Sequence, residues 1–212
     1  MEKTLPAPLS TSLQSSTAEA HDRAENAGFI TQLLAGDSGP DSLVALLRQS
    51  LPVYEALEDA CRAHSADPRI APILDPRLER ADSLRADLEA HRAAGRICDT
   101  VLPVTSAYVA DIVACADDPA ALVGHHYVRY LGDLSGGQII ARLVRRHYGL
   151  EDGLSFYDFD IPKAKVFKDE YRAALDALPL SDAERDSAIA AANRSFDLNY
   201  QMFVELGALE ST

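Results

Sequence analysis

His21 and Glu25 stand four residues apart, and so do Arg129 and Asp133; on a helix each pair shares one face, an imidazole with a carboxylate in the first and a guanidinium with a carboxylate in the second. Pairs of this kind orient a ring or hold a charge in place. The second pair lies in His125-His126-Tyr127-Val128-Arg129-Tyr130-Leu131-Gly132-Asp133-Leu134-Ser135-Gly136-Gly137-Gln138, a run that carries three glycines inside a helical pattern. Each interior glycine costs a helix about 1 kcal/mol relative to alanine, so the three together cost about 3 kcal/mol. What offsets such a cost is a backbone that bends, or that lets a flat ligand approach where a Cβ would collide. Gly132 and Gly136 fall on one face, which implies a groove with one ionisable group, Asp133, at its edge.

A neutral imidazole oriented by a carboxylate suits iron, and Glu25 is placed to hold the second ring nitrogen of His21. The face around His21 consists of Leu13, Thr17, Ala20 and Ala24, mostly small side chains that let something broad and flat lie close. A single helical histidine is also an ordinary surface or satisfied core residue, and spacing leaves both readings open. Covalent heme attachment is excluded because no CxxCH occurs, and a di-iron carboxylate site is disfavoured because it needs Glu-x-x-His pairs on two helices. His125 and His126 point about 100° apart as helical neighbours and do not readily share an ion. Asp133 reads either as a solvated helix acid or as the group that holds a water and relays protons to a metal-bound oxygen, with Arg129 keeping it ionised and placed. Lys165, Lys168 and Arg172 form a basic stripe opposite an apolar face of Phe167, Tyr171, Ala174, Leu175 and Leu178. The stripe is a solvated face, or a seat for ligand carboxylates held by Arg172 in bidentate fashion and by Lys168 as a point charge.

These groups need a helical frame, and the chain supplies one. Its 212 residues, 47% hydrophobic and 25% charged, make one substantial core and one domain. The excess of 33 Asp+Glu over 20 Lys+Arg, a formal charge of -13, argues against nucleic acid or an anionic membrane as partner. Cys61, Cys98 and Cys115 are odd in number and form no CxxC, which predicts packing residues in a reducing compartment. With no basic-then-apolar leader and no apolar run of membrane-spanning length, the expectation is a cytoplasmic protein without a membrane anchor.

Residues 1–9 are predicted to be a loose arm and 10–212 one helical domain. Helices are expected from Ser10 to Asn26, from Pro40 to about Cys61 with a kink near Pro52, from Asp75-Pro76 to Gly95, from Pro103 to before Asp118, from Pro119 to Tyr148 with Gly149 as its stop, from Pro162 to Leu178, and from a Ser181/Glu184 capping box to about Leu206. A short apolar turn joins the first two, and the aromatic segment Leu150 to Ile161 is expected to hold a strand-like piece. The architecture is all-α, with seven to nine helices. The cluster Arg142, Arg145, Arg146 and His147 complements a helix dipole or docks an acidic protein.

With these residues assembled, the sequence resembles the heme oxygenase family, most closely its soluble bacterial members, from about Leu13 to Leu206. The matching blocks are Ser16-Thr17-Ala18-Glu19-Ala20-His21-Asp22-Arg23-Ala24-Glu25, Tyr127 to Gln138, Lys168-Asp169-Glu170-Tyr171-Arg172, and Phe196-Asp197-Leu198-Asn199-Tyr200-Gln201-Met202-Phe203. The resemblance implies that heme b is both substrate and cofactor, sandwiched between the first helix and a glycine-kinked distal helix. It makes His21 the proximal iron ligand, tuned by Glu25, and passes Gly132 and Gly136 over the distal face. Asp133, helped by Arg129 and Tyr54, would organise the water network that delivers a proton to a ferric hydroperoxide, which attacks a meso carbon, the α position. Tyr127, Lys168 and Arg172 would bind the propionates, while Phe196, Asn199 and Phe203 would line the pocket. The implied products are biliverdin, carbon monoxide and ferrous iron. They form from heme, dioxygen and electrons from a donor such as ferredoxin or an NAD(P)H-dependent reductase, in a monomeric protein.

One position departs from the family pattern: many relatives carry a lysine seven residues before the proximal histidine, and here it is Gln14. A neutral amide gives up the charge-assisted part of a propionate contact, which loosens the constraint on the meso carbon. Two other readings are a heme-binding protein without turnover, from which Asp133 distinguishes an enzyme, and a thiaminase-like helical hydrolase. The hydrolase needs a catalytic cysteine, and Cys61, Cys98 and Cys115 all lie outside the matching blocks.

Overall fold

The computed structural model describes residues 7–210, and every regular element among them is helical. α1 spans Leu9–Glu25, α2 Gly28–Ala35, α3 Pro40–Ala63, α4 Ala81–Ala93, α5 Pro103–Ala114, α6 Pro119–His126, α7 Gln138–Tyr148, α8 Ala164–Asp176 and α9 Asp182–Glu210. Of the arm expected over residues 1–9, residues 1–6 lie outside the described residues, while Leu9 is fully buried and already opens α1. Ser10 is therefore inside the helix, and its N–H and hydroxyl donate to the Asp176 carboxylate at 2.8 and 3.0 Å instead of capping α1.

The long α9 is the hub against which α1, α2, α5 and α6 pack. Its start is the expected capping box: Ser181 N–H donates to Glu184 Oε2 at 2.8 Å, and the Glu184 N–H reaches back to Ser181 Oγ at 3.4 Å. The α6–α9 crossing is set by size. A Cβ added to Gly124 would collide with the Ala188 carbonyl oxygen and sit 2.7 Å from the Ala192 nitrogen, so only a glycine lets the two backbones meet over fully buried Ala188, Ala191 and Ala192. Leu33, Leu43, Leu47 and Leu57 are fully buried in the core, each worth about 2–3 kcal/mol by area removed from water.

Two expectations need correction. Asp75 caps only a single 3-10 turn, Pro76–Leu78, by accepting from the Arg77 N–H at 2.9 Å; α4 begins at Ala81. The cap of α4 comes from α3: the buried Glu58 carboxylate accepts from the N–H groups of Arg80 and Ala81 at 2.6 and 3.0 Å, an acceptor more than twenty residues upstream that no local pattern reveals. The segment Leu150–Ile161 holds no strand but a 3-10 turn, Ser155–Tyr157. Asp87 fixes it by accepting from the Ser155 N–H and hydroxyl and the Phe156 N–H at 2.7–2.8 Å, which uses the donors a strand ladder would need. α8 also starts two residues later than expected, at Ala164. α3 is one helix with Pro52 inside it and reaches Ala63, close to the expected end.

The glycine-bearing helix, expected as one kinked helix from Pro119 to Tyr148, is instead divided by two π-helical stretches, Tyr127–Leu131 and Asp133–Gly137, between α6 and α7. Wider turns of this kind re-aim side chains and recur at functional sites. Gly149 ends α7 in the left-handed conformation, φ 63°, as a C-terminal stop.

Candidate functional site

The π-helical stretches carry an unusual strip of main chain. Gly132 has ordinary right-handed helical dihedrals, φ −59° and ψ −51°, so its conformation does not require glycine. A Cβ added to Gly132 or to Gly136 would meet nothing within 4 Å, in contrast to Gly124 and to Gly137, where it would press on the Tyr157 ring at 3.3 Å. Neither backbone strain nor packing inside the protein explains these two glycines. They bare the backbone to open space.

A part-buried polar network stands beside that strip. Tyr54 projects from α3, fully buried, and its hydroxyl donates to Asp133 Oδ2. Arg129 Nε donates to the Tyr54 oxygen at 3.2 Å and Nη1 to Asn199 Oδ1 of α9 at 2.8 Å, with the guanidinium 4.7 Å over the Tyr54 ring. Arg129 therefore acts on Asp133 through Tyr54 as well as through its charge. Burial raises the Asp133 carboxyl above its ordinary range despite the lowering pull of Arg129 and the Tyr54 hydroxyl, so burial works against the ionised form that Arg129 was expected to keep. Burial likewise raises Tyr54 well above the usual phenol value, which keeps it a proton donor.

Sequence reading missed the walls of this network. The rings of Phe156 and Tyr130 abut Tyr54 edge-on at 5.4 and 5.7 Å, and the aromatic segment after Leu150 was the available signal for Phe156.

His21 meets α9 close to where this network does. Its side chain is 55% exposed, with the ring edge-on to Phe196 at 5.7 Å, and Phe196 sits one turn before the Asn199 that holds Arg129. Nδ1 lies 3.7 Å from Glu25 and 3.6 Å from Asp22, too far for a hydrogen bond to either. Phe203 is buried and stacked on Phe29 at 6.2 Å, and belongs to the core between α2 and α9.

The basic stripe of α8 reaches the kinked segment. Lys168 Nζ donates to Ser135 Oγ at 3.3 Å, while Arg172 pairs with Asp169 at 3.1 Å on the exposed side. Tyr127 is half-buried; burial raises its phenol and the Arg172 charge lowers it, so the two side chains share one neighbourhood. Gln14 is exposed on α1. Of the paired histidines, His126 turns inward to the Tyr171 hydroxyl at 2.7 Å and burial holds its imidazole down to about 3, while His125 turns towards α5, so they do not converge. All three cysteines are free, Cys61 buried and the others part-buried.

The family model described as heme oxygenase matches residues 7–205. A heme oxygenase of Pyropia yezoensis is 40% identical over 206 residues, covering 94% of this chain and 86% of the relative, and heme oxygenase 1 of Nostoc sp. is 37% identical over 203 residues, 93% and 85%. Among solved structures, heme oxygenase-1 of the cyanobacterium Synechocystis sp. PCC 6803 in complex with heme superposes with a TM-score of 0.90 at 35% identity, over 97% of this chain and 95% of that one. An all-helical frame, a bared glycine strip beside a part-buried carboxylate, and agreement along nearly the whole length lead to one conclusion: the chain belongs to the heme oxygenase family.

Proposed function

We propose that this oxygen-dependent enzyme binds heme in the space between the exposed His21 of α1 and the bared backbone at Gly132 and Gly136, and opens the ring at the α-meso carbon to give biliverdin, carbon monoxide and ferrous iron. The observation that carries the reading is that a Cβ at either glycine would meet only open space, beside the hydrogen-bonded pair of buried Tyr54 and part-buried Asp133. The residues fit the group. An imidazole with an accessible ring nitrogen suits ferric and ferrous iron, Phe196 offers an aromatic edge, and a side-chain-free strip accepts a flat macrocycle. When bound, the heme supplies the iron at which dioxygen is reduced and the ring that is oxidised.

The protein's part is position and protons. His21 holds the iron from α1, with Glu25 biasing its ring. Gly132 and Gly136 leave room on the opposite side and present only backbone there. Asp133, its carboxyl raised by burial, holds water at the glycine edge and passes protons inward. Tyr54 and Arg129 keep that carboxylate in one orientation, and Asn199 anchors Arg129. Lys168, Tyr127 and Arg172 bind the propionates at the α8 side and fix the ring's rotation, with Gln14 supplying a neutral contact where a charge is usual.

The electron donor is an acidic ferredoxin or a reductase seated on Arg142 and Arg145, which flank a surface hollow with Gln138 and Phe159. The enzyme works as a cytoplasmic monomer; among the described residues no helix is long and apolar enough to cross a membrane.

The test is a single-turnover reaction of the hemin-loaded chain with reductant and oxygen. Biliverdin IXα is expected from the parent and little ring opening from Asp133→Ala, with Arg142→Glu/Arg145→Glu slowed only when a protein donor supplies the electrons. Biliverdin formation undiminished in Asp133→Ala would remove the proton-relay role.

A further inference from the structure

Away from the heme space, α5 and α6 bring together three side chains that the reaction does not use. Asp111 and Cys115 stand one turn apart at the C-terminal end of α5, and His125 of α6 points at them, with one ligand atom from each lying within 4.8 Å of the other two. His125 is fully buried, and neither ring nitrogen has a hydrogen-bond partner; Nε2 is 3.2 Å from Asp111 Oδ2 but misaligned for a bond. A buried imidazole whose ring nitrogens make no well-aligned hydrogen bond is retained at a penalty that a ligand at Nε2 would relieve.

Arg194 of α9 satisfies the carboxylate instead of the ring. Its Nε donates to Asp111 Oδ1 at 3.0 Å, and Nη2 lies 3.6 Å from Cys115 Sγ. That side chain is 45% exposed and can turn to solvent, which opens the way to the cluster.

We propose that Asp111, Cys115 and His125 form a binding site for a thiophilic divalent cation, with zinc the ion whose preferences they match. A thiolate, an imidazole and a carboxylate are three ligands of a tetrahedral zinc site, whose donor atoms stand about 3.4–3.7 Å apart, so the imidazole and carboxylate are already close enough and the thiol needs to approach them by at most about 1 Å. Binding displaces Arg194 from Asp111, releases the Cys115 thiol proton to solvent and leaves the fourth position to water. The ion would tie α5 to the helix that carries Tyr127 and Arg129, two and four residues beyond His125.

The test uses the full chain before hemin is added, with Co²⁺ as an optical probe and Zn²⁺ in competition against a chromophoric chelator. The expected result is one Co²⁺ per chain with a thiolate-to-metal charge-transfer band, displaced by one equivalent of Zn²⁺. Cys115→Ser, a part-exposed and conservative change that spares the fold, loses the band and weakens Zn²⁺ binding about a hundredfold, while His125→Gln tests the ring. His21→Ala, which dismantles the exposed His21–Asp22–Glu25 group, leaves the band intact. Absence of the band, its survival in Cys115→Ser, or its loss in His21→Ala would overturn the proposal.

Discussion

Alanine at Gly132 separates a glycine kept for a ligand from one kept for packing. The new methyl group meets no protein atom within 4 Å and the dihedrals are already helical, so the heme-free chain loses nothing and gains the usual helix preference, about 0.5–1 kcal/mol. For a chain of this size that raises the melting temperature by about 1–4 °C. With hemin bound, the same methyl group occupies space assigned to the macrocycle. Overpacking costs about 1–3 kcal/mol, which weakens hemin binding about 5- to 150-fold. Gly124→Ala, eight residues earlier, should behave oppositely: its methyl group collides with the Ala188 carbonyl, so the melting temperature falls while hemin affinity in the folded protein is unchanged. Calorimetric melts of the heme-free variants and hemin titrations followed by absorption give both numbers. A destabilised Gly132→Ala, or one that binds hemin and turns it over like the parent, would refute the reasoning.

Two further outcomes test the surroundings of the site. Glu58→Ala leaves the Arg80 and Ala81 N–H groups without their acceptor, which should cost about 2–3 kcal/mol and lower the melting temperature by about 5–10 °C, with most of the loss restored in Glu58→Gln; a melt within 1 °C or so of the parent would show that α4 needs no cap from α3. Burial raises the folded-state value of Asp133, so the contribution of this group is fully present below the unfolded carboxyl value, about pH 4, and is lost as pH rises through the raised one. Asp133→Asn keeps an acceptor for Tyr54 and stays neutral, so urea titrations should show the variant gaining on the parent as pH rises from 4 to 8; a difference that does not vary with pH would contradict the raised value.

Much of the site was legible because it is local. The i, i+4 pairs and the glycine spacing place His21 with Glu25, and Asp133 beside Gly132 and Gly136, on single faces, and the structure keeps them there. What spacing alone misses is contact across elements: Tyr54 and Asp133 are 79 residues apart, and only the family pattern brought Tyr54 to the list of candidates. Glu58 as a remote cap left no trace next to Asp75, whose Asp-Pro signal was real but exhausted itself in one 3-10 turn. Gly124 was read past because its reason lies on α9, in Ala188, Ala191 and Ala192, a run of small residues whose counterpart only the fold identifies. The three glycines pointed to a backbone able to kink within one long helix, but the form observed, two π-helical stretches, depends on tertiary contacts and has no propensity signal.

The most direct measurement is the electronic absorption spectrum of the hemin complex of His21→Ala beside that of the parent, with and without added imidazole. The account predicts a histidine-ligated spectrum in the parent, its loss in the variant, and its return when free imidazole fills the space beside Phe196. A variant spectrum identical to the parent's would show the iron held by another residue and would contradict the placement of heme between α1 and the glycine strip.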